Sequence, residues 1–388
     1  MNPFNYISKA QGDSFYDRIE ETERMVKTLS GGNNIVLLAH RRYGKTSLVF
    51  KVMDELEKQG VVCVYFDMMP VYSLDSFVEL FTQALYRKQT AKEKFLTAVS
   101  KLKNIRPKLT FDPVGNADFG IDFSETRVSV STVADVLDLP EKMSQDGRKI
   151  VVVFDEFQEI RRFDKFGLES LMRSKIQLHH AANYLFLGSK THLMQDMFMA
   201  KNRSFYNSAL LMQLSVLPEP DTCRFLQDRF SASGIVIDET MCRYLISRTD
   251  NIPYYIQLLA AEVWQYMTPD LHDVTKDVVD ECFARVIELK HDYYFELFDR
   301  FSTAQKRLLQ SIARSGESIF SSEYVVKNRL VGASSIQKSL SVLIESGLVE
   351  RSDSSYFIGD PFFRRFLESE ECCSKLHGIY VSGISSQL

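Results

Sequence analysis

Apolar and polar positions change rhythm along this chain. In the first half, short uninterrupted apolar runs alternate with segments whose apolar residues recur every three or four positions. The runs fall at 33–40 (NNIVLLAH), 61–68 (VVCVYFDM), 149–157 (KIVVVFDEF) and 183–189 (NYLFLGS). Apolar character at every position, with no alternation, predicts strands buried on both faces, and therefore a parallel sheet covered by helices above and below. Between the first two runs, Leu48, Val49, Val52, Met53 and Leu56 share one helical face and Gly60 follows as a stop. Residues 105–125 alternate polar and apolar around Gly115-Asn116, which predicts a β-hairpin inserted in the sheet domain.

From Leu217 onward the pattern is helical. Short amphipathic stretches up to about residue 295 predict a small bundle, a helical lid domain. Three more helical stretches, 302–315, 321–330 and 334–346, then run into a short hairpin-like segment at 351–361. That is the order of a winged helix. The expected division is a sheet domain at 1–216, a helical lid at 217–295, and a winged helix with a tail at 296–388.

Composition fits this picture without sharpening it. The chain has 388 residues, 45% apolar and 25% charged, with a net charge of −4, so no global charge draws it to nucleic acid or an anionic membrane. No apolar run approaches the ~20 residues of a membrane-spanning helix, and residues 1–18 lack the basic-then-apolar order of a secretory signal. The expected location is the cytoplasm. Cys63, Cys223, Cys242, Cys282, Cys372 and Cys373 show no spacing that suggests zinc or a disulfide framework.

Candidate chemistry sits where strands end. After the first strand comes Ala39-His40-Arg41-Arg42-Tyr43-Gly44-Lys45-Thr46-Ser47. A strand before Gly-Lys-Thr and an amphipathic helix after it is the setting of a phosphate-binding loop. There, backbone N–H groups and the helix dipole face the phosphates, lysine adds charge, and the threonine hydroxyl can ligate Mg²⁺. The competing reading is a chance Gly-Lys-Thr in a basic turn. Ala39 stands where the first glycine belongs, and its extra methyl is harmless if φ is negative there. Asp155-Glu156 end a second strand, where an Asp can hold Mg²⁺ and a Glu can orient or deprotonate an attacking water. Ser189 or Lys190, ending a third strand, can sense a terminal phosphate, or Ser189 can simply cap a helix.

The order of these segments resembles the archaeal-type ATPases, a branch of AAA+ proteins close to the signal-transduction ATPases with numerous domains. Arg41-Arg42 within the loop, Asp155-Glu156-Phe157, Gly188-Ser189 and Asp360-Pro361 after the wing carry the resemblance. It implies an α/β P-loop NTPase sheet, an all-α lid and a C-terminal winged helix, with ATP and Mg²⁺ bound and hydrolysis coupled to movement of the lid or winged helix. It also implies roles: Phe15 and Arg18, with Glu21, near adenine; Lys45 and Thr46 on phosphate and Mg²⁺; Asp155 on metal; Glu156 on water; Ser189 as first sensor; Pro253 in the lid motif. Departures from the family pattern are Asp17 and Ala39 for glycines, Asn251 for the lid glycine, and Phe205-Tyr206-Asn207 where many members have Tyr-Gly-Arg. No Asn-Lys-x-Asp guanine reader appears, which favours ATP over GTP.

Other residues attract attention and have plainer explanations. His179-His180 point about 100° apart on a helix and read as packing or surface residues. Tyr254, Tyr255 and Trp264 read as lid core. Arg161, Arg162 and Arg173 read as a solvated basic face rather than an anion site.

Two functional readings follow. One is an ATP-driven switch acting on a protein partner, with possible nucleotide-dependent homo-oligomers. The other is a winged-helix DNA binder that ATP regulates or loads. Between Ser321 and Phe366 six basic residues face five acidic ones, a balance that weakens the DNA reading.

Overall fold

The structure is a computed structural model and describes residues 2–6, 18–88, 92–100, 105–111, 117–123, 128–144, 148–268, 270–352 and 355–369. Phe15, Cys372 and Cys373 lie outside these residues. Among them, no helix is long and apolar enough to cross a membrane. The chain divides into two compact units, Asp17–Ser215 and Met1–Tyr16 with Val216–Leu388.

The first unit holds α1 (Ile19–Ser30), β1 (Ile35–Leu38), α2 (Lys45–Lys58), β2 (Val62–Asp67), α3 (Leu74–Arg87), α4 (Lys92–Ser100), β3 (Ile105–Phe111), β4 (Ala117–Phe123), α5 (Val130–Leu137), α6 (Leu139–Met143), β5 (Ile150–Asp155), a 3₁₀ segment (Phe157–Phe166), α7 (Leu168–Ile176), β6 (Ala182–Gly188), α8 (Thr191–Met199) and β7 (Leu210–Gln213). Five strands form one parallel sheet in the order β2-β5-β6-β1-β7. Three of the unbroken apolar runs become the inner strands β5, β6 and β1, covered on both faces, and the fourth becomes the edge strand β2. Val36, Leu38, Val64, Phe66, Val152, Phe154, Tyr184 and Phe186 face one core. Residues alternating with them, such as Leu37, Cys63, Val153 and Leu185, are also buried. Phe154 stacks on Tyr184 and Phe186, so an aromatic layer spans β5 and β6. Each such ring contributes about 1.5–3 kcal/mol through burial.

The hairpin expected at 105–125 is present as β3 and β4, paired antiparallel from Ile105↔Phe123 to Phe111↔Ala117. Strand β7 was not picked out: its apolar run, Leu210-Leu211-Met212, is only three residues long, and at this sheet edge only Met212 is buried.

The second unit contains α9 (Glu219–Ser231), α10 (Glu239–Arg248), α11 (Pro253–Tyr266), α12 (Lys276–Leu289), α13 (His291–Asp299), α14 (Thr303–Arg314), α15 (Ser322–Lys327), α16 (Ala333–Glu345), β8 (Val349–Arg351), β9 (Tyr356–Ile358) and α17 (Pro361–Glu368). The segment α14 to β9 has the winged-helix order, and β8 pairs with β9 antiparallel. The bundle and the winged helix, expected as separate domains, form one compact body. Helix α17 joins them: Phe362 stacks on Phe283 of α12, and Arg364 forms a two-pronged ion pair with Asp250 at 2.7 and 2.8 Å. Residues 2–6, expected with the sheet, belong here instead. Phe4 is buried against Phe225 and Phe230, and Asn5 N–H donates to Gln257 Oε1 at 3.1 Å.

Candidate nucleotide site at the strand ends

The sheet order places three carboxyl-terminal strand ends side by side. Strand β6 lies between β1 and β5, with Leu38 opposite Gly188 and Phe154 opposite Phe186. Ala39, Ser189 and Asp155-Glu156 therefore emerge at one edge, where open α/β sheets bind ligands.

The loop leaving β1 turns through two left-handed residues, Arg42 at φ 69° and Gly44 at φ 82°. Ala39 is buried with negative φ, so the missing first glycine is tolerated. His40 packs against Tyr43, and Arg41 and Arg42 are exposed. Gly44 caps α2 with no side-chain acceptor. The first turn of an α-helix presents N–H groups without intrahelical acceptors, and the helix dipole makes the end of α2 at Lys45 and Thr46 positive. This is a cradle for an anion.

Lys45 is buried, and its ammonium sits between two carboxylates, 2.8 Å from Asp155 Oδ1 and 3.4 Å from Glu156 Oε1. Asp155 also accepts hydrogen bonds from Tyr65 Oη, on neighbouring β2, and from the Glu156 N–H. Burial pushes the Asp155 carboxyl up, but Lys45 and these donors outweigh it and hold the pKa below its ordinary value. Glu156 is lowered in the same way: burial opposes, and Lys45, Gln158 and Ser189 prevail. Burial pushes the Tyr65 hydroxyl upward, with Asp155 adding to the effect, so it stays a donor. Asp67, at the end of β2, is raised by burial and by the like charges of Asp155 and Glu156.

Glu156 has φ 49°, a strained left-handed conformation for a residue with a side chain. Its Oε2 accepts from Ser189 Oγ at 2.8 Å and from Gln158 Nε2 at 2.5 Å. Lys190, not Ser189, is the N-cap of α8, and no side chain caps that helix, which removes the capping role for Ser189. Lys190 pairs with Glu159.

Lys45, Asp155, Glu156 and Ser189 thus converge, with Gly44, Thr46 and Ser47 at the start of α2. Arg18 is buried and spends its guanidinium on Glu21 Oε1, at 2.8 Å, and the Ser215 carbonyl. Pro253 opens α11 in the helical unit, just after Asp250 and Asn251, both left-handed. His179 packs between Tyr184 and Asp138, and Arg161 and Arg162 pair with Asp196 and Glu159. Tyr65, Asp67 and Gln158 were missed. Tyr65 and Asp67 are hidden within an ordinary apolar run, while Gln158, two residues past the acidic pair, was the legible one.

Among the described residues no group of three His, Cys, Asp or Glu side chains could hold a metal by itself. One carboxylate and one hydroxyl suit Mg²⁺ that arrives with phosphate and water oxygens.

The fold is that of a P-loop ATPase domain followed by a winged helix. The family described as an ATPase domain predominantly from Archaea matches residues 15–208, and the chain belongs to it. A probable winged helix domain matches residues 292–369. Among solved structures, the chain is similar to a Walker-type ATPase of Pyrococcus abyssi, at 17% identity and TM-score 0.65 over 95% of this chain and 100% of that one. The Aeropyrum pernix ORC1 protein in complex with DNA gives 14% identity and TM-score 0.48, covering 96% and 97%. The Thermotoga maritima RuvB Holliday junction branch migration motor gives 11% and 0.43, covering 96% and 99%. No curated protein sequence matches the chain.

Proposed function

We propose that this chain binds ATP with Mg²⁺ in the cytoplasm and hydrolyses it as a switch that reports nucleotide state to a protein partner. The observation that carries this reading is the Lys45 ammonium lodged between Asp155 and Glu156, beside an uncapped helix start. Phosphate oxygens would offer Lys45 a second set of acceptors and would also face the first-turn amides of α2. The loop 39–47 would wrap the phosphates, and Phe15, Arg18 and Pro253 would complete the nucleotide site.

Thr46 and Asp155 would hold Mg²⁺, which neutralises charge developing on the transferred phosphoryl group. Glu156 is ionised by its surroundings and can take a proton from water. Ser189 holds the same carboxylate, so a phosphate that draws Ser189 or Lys45 away would free Glu156 to meet water. Hydrolysis would then reset the contacts. The proposed division of labour is 17–215 for the phosphate-binding sheet, 217–295 as lid and 296–388 as winged helix.

The test is nucleotide binding and turnover. Lys45→Ala should weaken ATP binding by about tenfold or more, and Glu156→Gln should bind ATP but lose turnover by about 10²–10⁴-fold. Unchanged affinity in Lys45→Ala would remove the site assignment. The second reading, DNA binding by the winged helix, is favoured by the match at 292–369. A gel-shift series against salt separates the two, since DNA retention at low salt that fades steeply as salt rises belongs to the second. Mass measurement with ADP and with a non-hydrolysable ATP analogue tests nucleotide-dependent self-association.

A further inference from the structure

The winged-helix part contains a cavity of about 220 Å³ between α14, the turn after α15 and the start of α16. Its floor is apolar, built by Leu308, Leu330 and Ile336. Arg307 and Arg329 also line it, and both are exposed. Neither guanidinium makes an ion pair or hydrogen bond among the described residues. Lys306, beside Arg307 in the chain, is by contrast paired with Asp299. Val331, beside the opening, is 77% exposed.

Arg329 also stands where the backbone favours glycine. Its N–H bonds the Val326 carbonyl, and the Leu330 N–H bonds the Val325 carbonyl, the pattern that closes a helix with a left-handed residue. Arg329 occupies that position at φ 52°. The strain of roughly 1 kcal/mol places a cation at the cavity mouth, where glycine would serve the turn better.

We propose that this cavity docks an acidic-apolar peptide segment of a partner protein. One or two aliphatic side chains enter the apolar floor, and flanking carboxylates meet Arg307 and Arg329. The volume is below that of a pocket enclosing a whole small molecule, but admits side chains. Carboxylates match the guanidinium geometry, and the apolar floor supplies the anchor. Duplex DNA offers a row of phosphates and no aliphatic anchor, and the near-neutral charge of this part lacks the cations such a row requires. The proposal does not rest on nucleotide chemistry.

The probe is a fluorescein-labelled, terminally blocked peptide, Glu-Asp-Leu-Leu-Glu-Asp, titrated by anisotropy against the full chain. Two controls replace its acids by amides or its leucines by alanine. The acidic-apolar peptide should bind saturably, and each control should bind about tenfold more weakly or worse. Arg329→Gly relieves the backbone and should melt no lower than the parent, yet should lose peptide binding by a similar factor, as should Arg307→Gln. Lys45→Ala should leave peptide binding intact, which separates this site from the nucleotide site. No saturable binding, equal binding of the amide control, or undiminished binding by Arg329→Gly and Arg307→Gln together would overturn the proposal. So would duplex DNA, rather than peptide, binding in a manner that depends on these two arginines.

Discussion

Gln158 donates from Nε2 to Glu156 Oε2 at 2.5 Å, while its own carbonyl oxygen is buried with no partner among the described residues. The same nitrogen reaches Glu159 Oε1 only at 3.5 Å, so its short bond serves to orient Glu156. Gln158→Met keeps the volume and removes the donor. A lost hydrogen bond to a charged group is worth about 1.5–3 kcal/mol, so ATP turnover should fall roughly 10- to 100-fold with KM little changed. Steady-state kinetics checks this, and an unchanged kcat would reduce Gln158 to packing.

Lys45 and its two carboxylates make stability depend on pH. Asp155 and Glu156 have folded pKa values below their ordinary 3.8 and 4.5. Their contribution is thus complete above those ordinary values and is lost as pH falls through the depressed ones. Lys45→Met removes the ammonium and leaves burial to push both carboxyls up. Breaking such a buried pair costs about 3–5 kcal/mol at neutral pH. The deficit should shrink as acid protonates the carboxyls, a trend that calorimetric melting across pH will read.

Gly188 ends β6 beneath the same carboxylate. A β-carbon there would collide with Met194 Cγ and stand 2.5 Å from Gln158 Oε1. Gln158 Oε1 ends a side chain that can swing, but Met194 Cγ lies close to its backbone in the core, so Gly188→Ala should fold only with repacking, at a loss of about 1–3 kcal/mol. Because Gln158 must move, turnover should drop more than ATP affinity. Thermal melting and kinetics on the same sample separate the two effects.

Much of this was legible before the structure. Apolar runs at every position reported strands buried on both faces, and glycine, lysine and the acidic pair fell at strand ends where backbone polarity gathers. Pairing order is a different matter. Nothing local to 183–189 states that β6 lies between β1 and β5, so the bond from Ser189 to Glu156 was invisible. Tyr65 was likewise concealed, because an aromatic residue in a strand looks the same whether its hydroxyl meets water or Asp155. The ion pair of Arg364 and Asp250 joins residues 114 positions apart, and spacing carries no trace of it.

That pair also gives a measurable coupling. Its partners are about one-third exposed, so a double-mutant cycle on Asp250→Asn and Arg364→Gln should return about 0.5–1 kcal/mol, diminishing with salt. A value near zero would mean that the ring contacts of Phe362, Phe363 and Phe366 fasten α17 without help from the ion pair.

Residues 2–6 precede the sheet unit in the chain, yet Phe4 is seated against rings that follow it. The sheet unit is therefore a guest inside its host, and it can collapse alone while the host waits for two distant ends to meet. Closing that long loop is an entropic delay, not a large loss of final stability. Anyone who cuts the helical half free at Val216 will leave its aromatic plug behind and expose the Phe225 and Phe230 rings to water.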